Sequence, residues 1–299
     1  MRISKKKLNL FSIAYIYVPV FILIIGWCRL WFSIPILFVL GYAFYRVCSK
    51  HDGKEQINFK PAEMFLCFLA IFMIAIYSGW GGIAPQSGDW GKHNAILRDL
   101  IQKDWPVIYE NHGVSSMLTY YLGQYMVPAL GGKVLYKCLE LCSFTDVLEP
   151  NRSGCSFFAA EMVMFMWNSM GLFLVWGQLF FLLHDPGKKF LVGIIFCFFG
   201  NPLVLGKFVY SLAGFDPGYM DYHRLDHEIY LLQYTTNFAL LRWVFQHCLV
   251  PWMVMGMVLN RSTDIETYIF VGLPVVIYSP FAFLGMLPFM FVNLIRRMI

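Results

Sequence analysis

Leu8-Asn9-Leu10-Phe11-Ser12-Ile13-Ala14-Tyr15-Ile16-Tyr17-Val18-Pro19-Val20-Phe21-Ile22-Leu23-Ile24-Ile25-Gly26-Trp27 carries no charged side chain. Crossing the hydrocarbon of a bilayer takes roughly 20 apolar residues in a helix, and this stretch has that length. No small-residue cleavage site of the Ala-x-Ala kind follows it, so it is expected to stay as an anchor. The pattern repeats along the chain over residues 30–47, 62–80, 115–130, 156–183, 190–205, 233–259 and 268–295. Together these make about eight hydrophobic segments, some of them open to being broken in two. Composition agrees: 59% of residues are hydrophobic and 14% charged, against about 25% charged in water-soluble domains. The expectation is an all-α, polytopic integral membrane protein, residues 1–299 forming one transmembrane domain, with the lipid bilayer as its first partner.

Basic residues orient the chain. Arg2, Lys5, Lys6 and Lys7 precede the first segment, and Arg46, Lys50, Lys54 and Lys60 follow the second. Two segments lie between these groups, so both belong in the cytoplasm, with a basic front against anionic headgroups. The third segment then delivers loop 81–113 to the outer face of a cell inner (cytoplasmic) membrane. Two paths are open beyond that point. Eight plain spans put 206–232 inside. Alternatively 115–130 is re-entrant, broken at Pro128, Gly131 and Gly132, and the last segment splits at Ser279-Pro280. That second path keeps Lys188 and Lys189 inside and 206–232 outside. The net charge of +5 does not point to nucleic acid, because no basic run alternates with exposed aromatics. The eight cysteines include no C-x-x-C pair. Cys138 and Cys142 share a helical face without a nearby histidine, which reads as apolar filling.

Loop 81–113 carries the most information. From Asp89 onward, Ile96, Leu97, Leu100 and Ile101 gather on one side at helical spacing, and Asp89, Lys92, Asp99 and Lys103 on another. This predicts an amphipathic helix in the membrane interface after the third span, flanked by Trp90 and Trp105 and closed by Pro106. A carboxylate at Asp89, between lipid and water, suits a general base; it equally suits a helix cap. Lys92 and His93 lie within one turn and suit a phosphate or a departing anion, although His93 falls on the apolar side. Further on, His223, Arg224 and His227 form the densest polar patch of the later half, suited to a phosphate headgroup or simply to solvent. The spacing of His223 and His227 fits a metal pair but lacks a third ligand, so no metal is expected. Arg242, Gln246 and His247 lie inside a hydrophobic segment. Burying an arginine there costs about 2.5–3.5 kcal/mol, so it faces a cavity, a partner or the interface. One turn separates Arg242 from Gln246, which predicts a shared, anion-binding face.

Several motifs resemble bacterial polytopic glycosyltransferases of the GT-C superfamily. They are Gly88-Asp89-Trp90-Gly91-Lys92-His93-Asn94-Ala95-Ile96-Leu97 with Trp105-Pro106-Val107, Tyr120-Tyr121-Leu122-Gly123 with Pro128-Ala129-Leu130, and Gln233-Tyr234-Thr235-Thr236-Asn237. Trp243-Val244-Phe245-Gln246-His247 and Ser279-Pro280-Phe281-Ala282-Phe283-Leu284-Gly285-Met286-Leu287-Pro288-Phe289 complete the set. The resemblance implies an enzyme that moves a sugar from a polyprenyl-phosphate carrier to an acceptor at the outer membrane face. Within it, Asp89 matches the aspartate that serves as base in the first large outer loop. Some members of that superfamily bind a divalent metal there, but no carboxylate cluster argues for one in this chain. This sequence departs from the pattern at Arg242 and Phe245, where an apolar residue and a proline are expected. It is also shorter than the usual member, which implies a minimal or truncated form. Two other classes stay open: a transporter or lipid flippase, and a non-catalytic membrane subunit of a larger complex.

Overall fold

The computed structural model describes residues 2–50, 55–86, 88–141, 149–200, 235–260 and 265–298. Among them the chain is mostly helical, with eleven α-helices and four short strands. Helix α1 (Lys5–Trp27) begins where the Ser4 hydroxyl accepts from the Lys7 amide at 3.3 Å, a cap that satisfies one orphan donor. It turns into α2 (Leu30–Lys50) at Ser33, whose hydroxyl lies 3.0 Å from the Ile24 carbonyl. Strand β1 (Arg2–Ser4) pairs antiparallel with β2 (Gln56–Asn58), so the two ends of this helical hairpin meet. Helix α3 (Pro61–Tyr77) opens with proline at its first position, where no amide donor is needed. Glycines 79, 81, 82 and 88 then take positive φ, a conformation a Cβ resists, and turn the chain into α4 (Trp90–Gln102). A hairpin of β3 (Ile108–Asn111) and β4 (Val114–Met117) follows.

Among the described residues, three helices are long and apolar enough to cross a membrane: α1, α2 and α6 (Glu149–Leu182). The other hydrophobic segments are shorter or interrupted. Helix α3 has 17 residues and α7 (Lys189–Phe198) has 10. Helices α8 (Asn237–Trp243) and α9 (Leu249–Leu259) belong to one segment that bends by 116° between Trp243 and Phe245. The last segment divides into α10 (Ile265–Gly272) and α11 (Pro280–Met298), with the break at Ser279-Pro280 as the proline predicts.

Side-chain contacts show which path the middle of the chain takes. At one end of the bundle, Lys5 pairs with Glu55 at 2.8 Å and reaches the Asn260 carbonyl at 3.1 Å. At the other end, Trp27 meets Trp105, ring centroids 5.6 Å apart. The chain leaves β4 at the Trp27 end and descends until Gln124 donates to the Tyr15 hydroxyl, halfway along α1, at 2.7 Å. It then climbs back as α5 (Met126–Leu141), where Lys133 hydrogen-bonds the Lys103 carbonyl. Segment 115–130 is therefore re-entrant within the bundle and not a straight span. The break does not fall at Pro128, Gly131 and Gly132 as the sequence suggested; all three lie inside α5. Proline is tolerated in a first turn, and Gly132 lets α5 approach so closely that a Cβ would stand 2.8 Å from that of Ala160.

Helix α6 then runs the full depth, from Gln102–Ser153 contact at the Trp27 end (3.0 Å) to Gln178 at the Lys5 end. There the Gln178 amide donates to Asn9 at 2.9 Å, and Asn260 donates to Gln178 at 3.1 Å. Just beyond, the nearly buried Lys189 ammonium lies 2.9 Å from Asp185, 3.4 Å from Glu63 and 3.0 Å from the Pro186 carbonyl. This triad fastens α7 to the start of α3. Lys189→Met is expected to destabilise the protein by about 3 kcal/mol, the low end for breaking a buried pair because Asp185 keeps solvent contact. Thermal unfolding in detergent measures the loss, and adding Glu63→Gln to Lys189→Met recovers part of it.

Candidate functional site

Helix α4 buries Trp90, His93, Ile96, Leu97, Leu100 and Ile101, the apolar face its period predicts. Its polar face begins with Asp89, at the end of the bundle away from Lys5. Asp89 occupies the N-cap position, yet its carboxylate makes no capping hydrogen bond. Its backbone carbonyl accepts from the Lys92 and His93 amides at 3.1 Å each. The carboxylate instead lies 3.5 Å from the Lys92 ammonium, with about half of its side chain in solvent. Lys92 also stands over the Tyr120 ring, 5.6 Å from its centroid. Burial acts to lower the Lys92 pKa, but the Tyr120 hydroxyl and the Asp89 carboxylate more than offset it, and the net shift is upward. Lys92 is a firm cation.

Tyr120 links this pair to the second stretch. Its hydroxyl accepts from the Gln246 amide at 3.4 Å, and Gln246 is fully buried with its own carbonyl oxygen unpartnered. The His247 ring meets Tyr121 edge-on, centroids 4.5 Å apart. On their other side Tyr120 and Tyr121 line an apolar groove of about 660 Å³ with Leu23, Ile24, Leu118 and Ile277. Tyr120 thus touches both the Asp89–Lys92 pair and, together with Tyr121, a groove fit for a hydrocarbon chain. The arrangement is suited to an amphiphile with an anionic head.

Asp89, Lys92, Gln246 and His247 are thus gathered around Tyr120 and Tyr121. His93 is not available to a substrate: it is wholly buried, and both ring nitrogens are engaged, with Tyr125 and with the Trp243 carbonyl. Arg242 and Gln246 do not share a face, because the bend at Val244 ends the helical register between them. Arg242 donates to the Tyr77 carbonyl at 3.4 Å, at the C-terminus of α3, where a cation meets the negative end of the helix dipole. His223, Arg224 and His227 lie outside the described residues. Among the described residues, no three His, Cys, Asp or Glu side chains group closely enough to hold a metal ion. Sequence reasoning missed Tyr120 and Tyr121 as site residues. The signal was their place in the Tyr120-Tyr121-Leu122-Gly123 motif of the resemblance, which gave them no role.

No family model, no curated protein and no solved structure matches this chain.

Tyr120→Phe removes the hydroxyl shared by Lys92 and Gln246. The Lys92 pKa is expected to fall, as read by NMR of the isotopically methylated lysine. A stability loss of about 1–3 kcal/mol accompanies it, because Gln246 is left buried without a partner.

Proposed function

We propose that the chain is a polytopic membrane glycosyltransferase of the GT-C type, acting at the outer face of the cytoplasmic membrane on a polyprenyl-phosphate-linked sugar. The observation that carries this reading is the Asp89–Lys92–Tyr120 cluster, whose Tyr120 also lines the apolar groove. The basic residues support this orientation: Lys5, Lys60, Lys188 and Lys189 share one end of the bundle, which we read as the cytoplasmic one, and Asp89 belongs to the opposite end. The prenyl chain lies in the groove beside Leu23, Leu118 and Ile277, with its phosphate toward Lys92.

In the reaction, Asp89 takes the proton of the acceptor hydroxyl as its oxygen bonds to the anomeric carbon of the sugar. The bond from that carbon to the phosphate oxygen breaks, and its electron pair leaves with the polyprenyl phosphate. Lys92, kept positive by Tyr120 and Asp89, stabilises the charge that develops on the departing phosphate. Asp89→Asn is expected to abolish sugar transfer from lipid-linked donors in reconstituted membranes while leaving expression and insertion intact. Wild-type turnover in that variant overturns the assignment. Lys92→Met is expected to weaken donor binding by about tenfold or more, the scale of one charge-assisted hydrogen bond.

The bend of 116° between α8 and α9 favours a second reading. Broken helices inside a bundle are common in transporters, so a lipid flippase shares this feature. Movement of labelled polyprenyl phosphate between leaflets of proteoliposomes, with no covalent product, identifies that activity.

A further inference from the structure

Helices α3 and α6 leave an apolar groove of about 540 Å³ between them, lined by Phe65, Phe68, Phe72, Phe165, Met170 and Phe173 among others. The two helices run antiparallel. Phe68 stacks on Phe173 toward the Lys5 end, centroids 5.1 Å apart, and Phe72 meets Phe165 edge-on at 5.5 Å toward the other. Phe65, Phe68, Phe72 and Met170 are exposed, so the groove opens sideways to the surface that a bilayer would cover. It shares no residue with the groove beside Tyr120.

The end of this groove away from Lys5 carries charge. Glu161 lies one helical turn beyond Phe165, on the same face of α6. Its carboxylate presses against the turn after α3, where a Cβ on Gly82 would stand 2.7 Å from Oε1. It accepts a hydrogen bond from Gln86. Gln86 is fixed in turn, donating to the Gly79 carbonyl at 2.8 Å and accepting from Asn94 of α4 at 2.7 Å. The half-buried Glu161 is thus held in place, yet among the described residues no cation pairs with it. One further turn outward, Phe157 lies under the Arg98 guanidinium, 5.5 Å from ring centroid to Cζ. Arg98 is exposed and likewise has no ion pair among the described residues.

An uncompensated carboxylate beside hydrocarbon is costly and calls for a partner. Here an anion and a cation follow one another along a single helix face, above a groove that suits an acyl chain. That order matches a zwitterion better than a head of one sign. We propose that this face binds one phospholipid with an ethanolamine headgroup: an acyl chain in the groove, the ammonium on Glu161 and the phosphate at Arg98. A primary ammonium donates charge-assisted hydrogen bonds to a carboxylate, which a quaternary ammonium has no N–H to make. The guanidinium fork suits phosphate oxygens. This site requires only the bilayer and stands apart from sugar transfer.

Native mass spectrometry of the full chain in detergent tests the site. The probes are phosphatidylethanolamine, phosphatidylcholine and phosphatidylglycerol with identical dioleoyl chains. Wild-type protein is expected to take up one ethanolamine lipid about tenfold more tightly than either of the others, the scale of one charge-assisted hydrogen bond. Glu161→Gln keeps the shape and removes the charge; it is expected to bring the ethanolamine lipid down to the level of the choline lipid without weakening the glycerol lipid. Arg98→Gln is expected to weaken all three, because each carries the phosphate. Equal uptake of the three lipids by wild-type protein overturns the proposal. So does a preference that survives Glu161→Gln, an Arg98→Gln variant that binds all three as wild type does, or no uptake at all, the outcome if another part of the chain fills the groove.

Discussion

A helix interrupted among apolar side chains leaves carbonyl and amide groups with no water to satisfy them, at a cost of several kcal/mol each in hydrocarbon. The interior of this bundle is organised around that constraint. Its interruptions at Tyr120–Gln124, at Val244 and at Ser279-Pro280 lie against one another instead of facing outward. Gly123 packs so tightly on Tyr278 that a Cβ would come within 2.6 Å of its ring. The Tyr278 hydroxyl donates to the Ile16 carbonyl at 2.8 Å. Trp80 donates to the Leu241 carbonyl at 3.2 Å, and His93 to that of Trp243. Aromatic and imidazole donors supply what the missing helical turns do not. The polar atoms of the candidate site are concentrated here for the same reason.

Charge is distributed by a related rule. Among the described residues, Lys, Arg, Asp and Glu side chains collect at the two ends of the bundle, and amides and hydroxyls bridge the middle. Asn9, Ser12 and Gln178 meet near one end, and Tyr15, Gln124 and Asn168 meet halfway. Neutral partners can be buried with their hydrogen bonds made at modest cost, whereas an isolated ion cannot. Lys189 is the informative exception. It is almost wholly enclosed, and two carboxylates and a carbonyl surround it, so its charge is compensated where water is not.

The elements legible in the sequence are those fixed by local periodicity. Leu8–Trp27 is uncharged throughout and lies within α1; the two faces after Asp89 form α4, which ends at Gln102, short of the Pro106 expected to close it. Ser279-Pro280 marks a break because proline lacks the amide that a continuing helix requires. Pro128, Gly131 and Gly132 carry the same local signal and mark none, since a first turn forgives proline and the glycines serve contact with α6. Apolar content alone does not distinguish a span from a re-entrant fold, because both bury the same side chains. The site follows this division. Asp89 and Lys92 are neighbours on one helix and could be paired from spacing. Tyr120 and Gln246 lie 126 positions apart and are joined only by tertiary packing. The expected face of Arg242 and Gln246 failed because it assumed a continuous helix through Val244.

The pairing of β1 with β2 bears on how the molecule is assembled. Residues 2–4 find their partners only once residues 56–58 are in place, after both intervening helices in the chain. Until then residues 2–4 lack strand partners and the first helical hairpin is open at its base. Closure of that clasp thus requires that α1 and α2 already lie side by side.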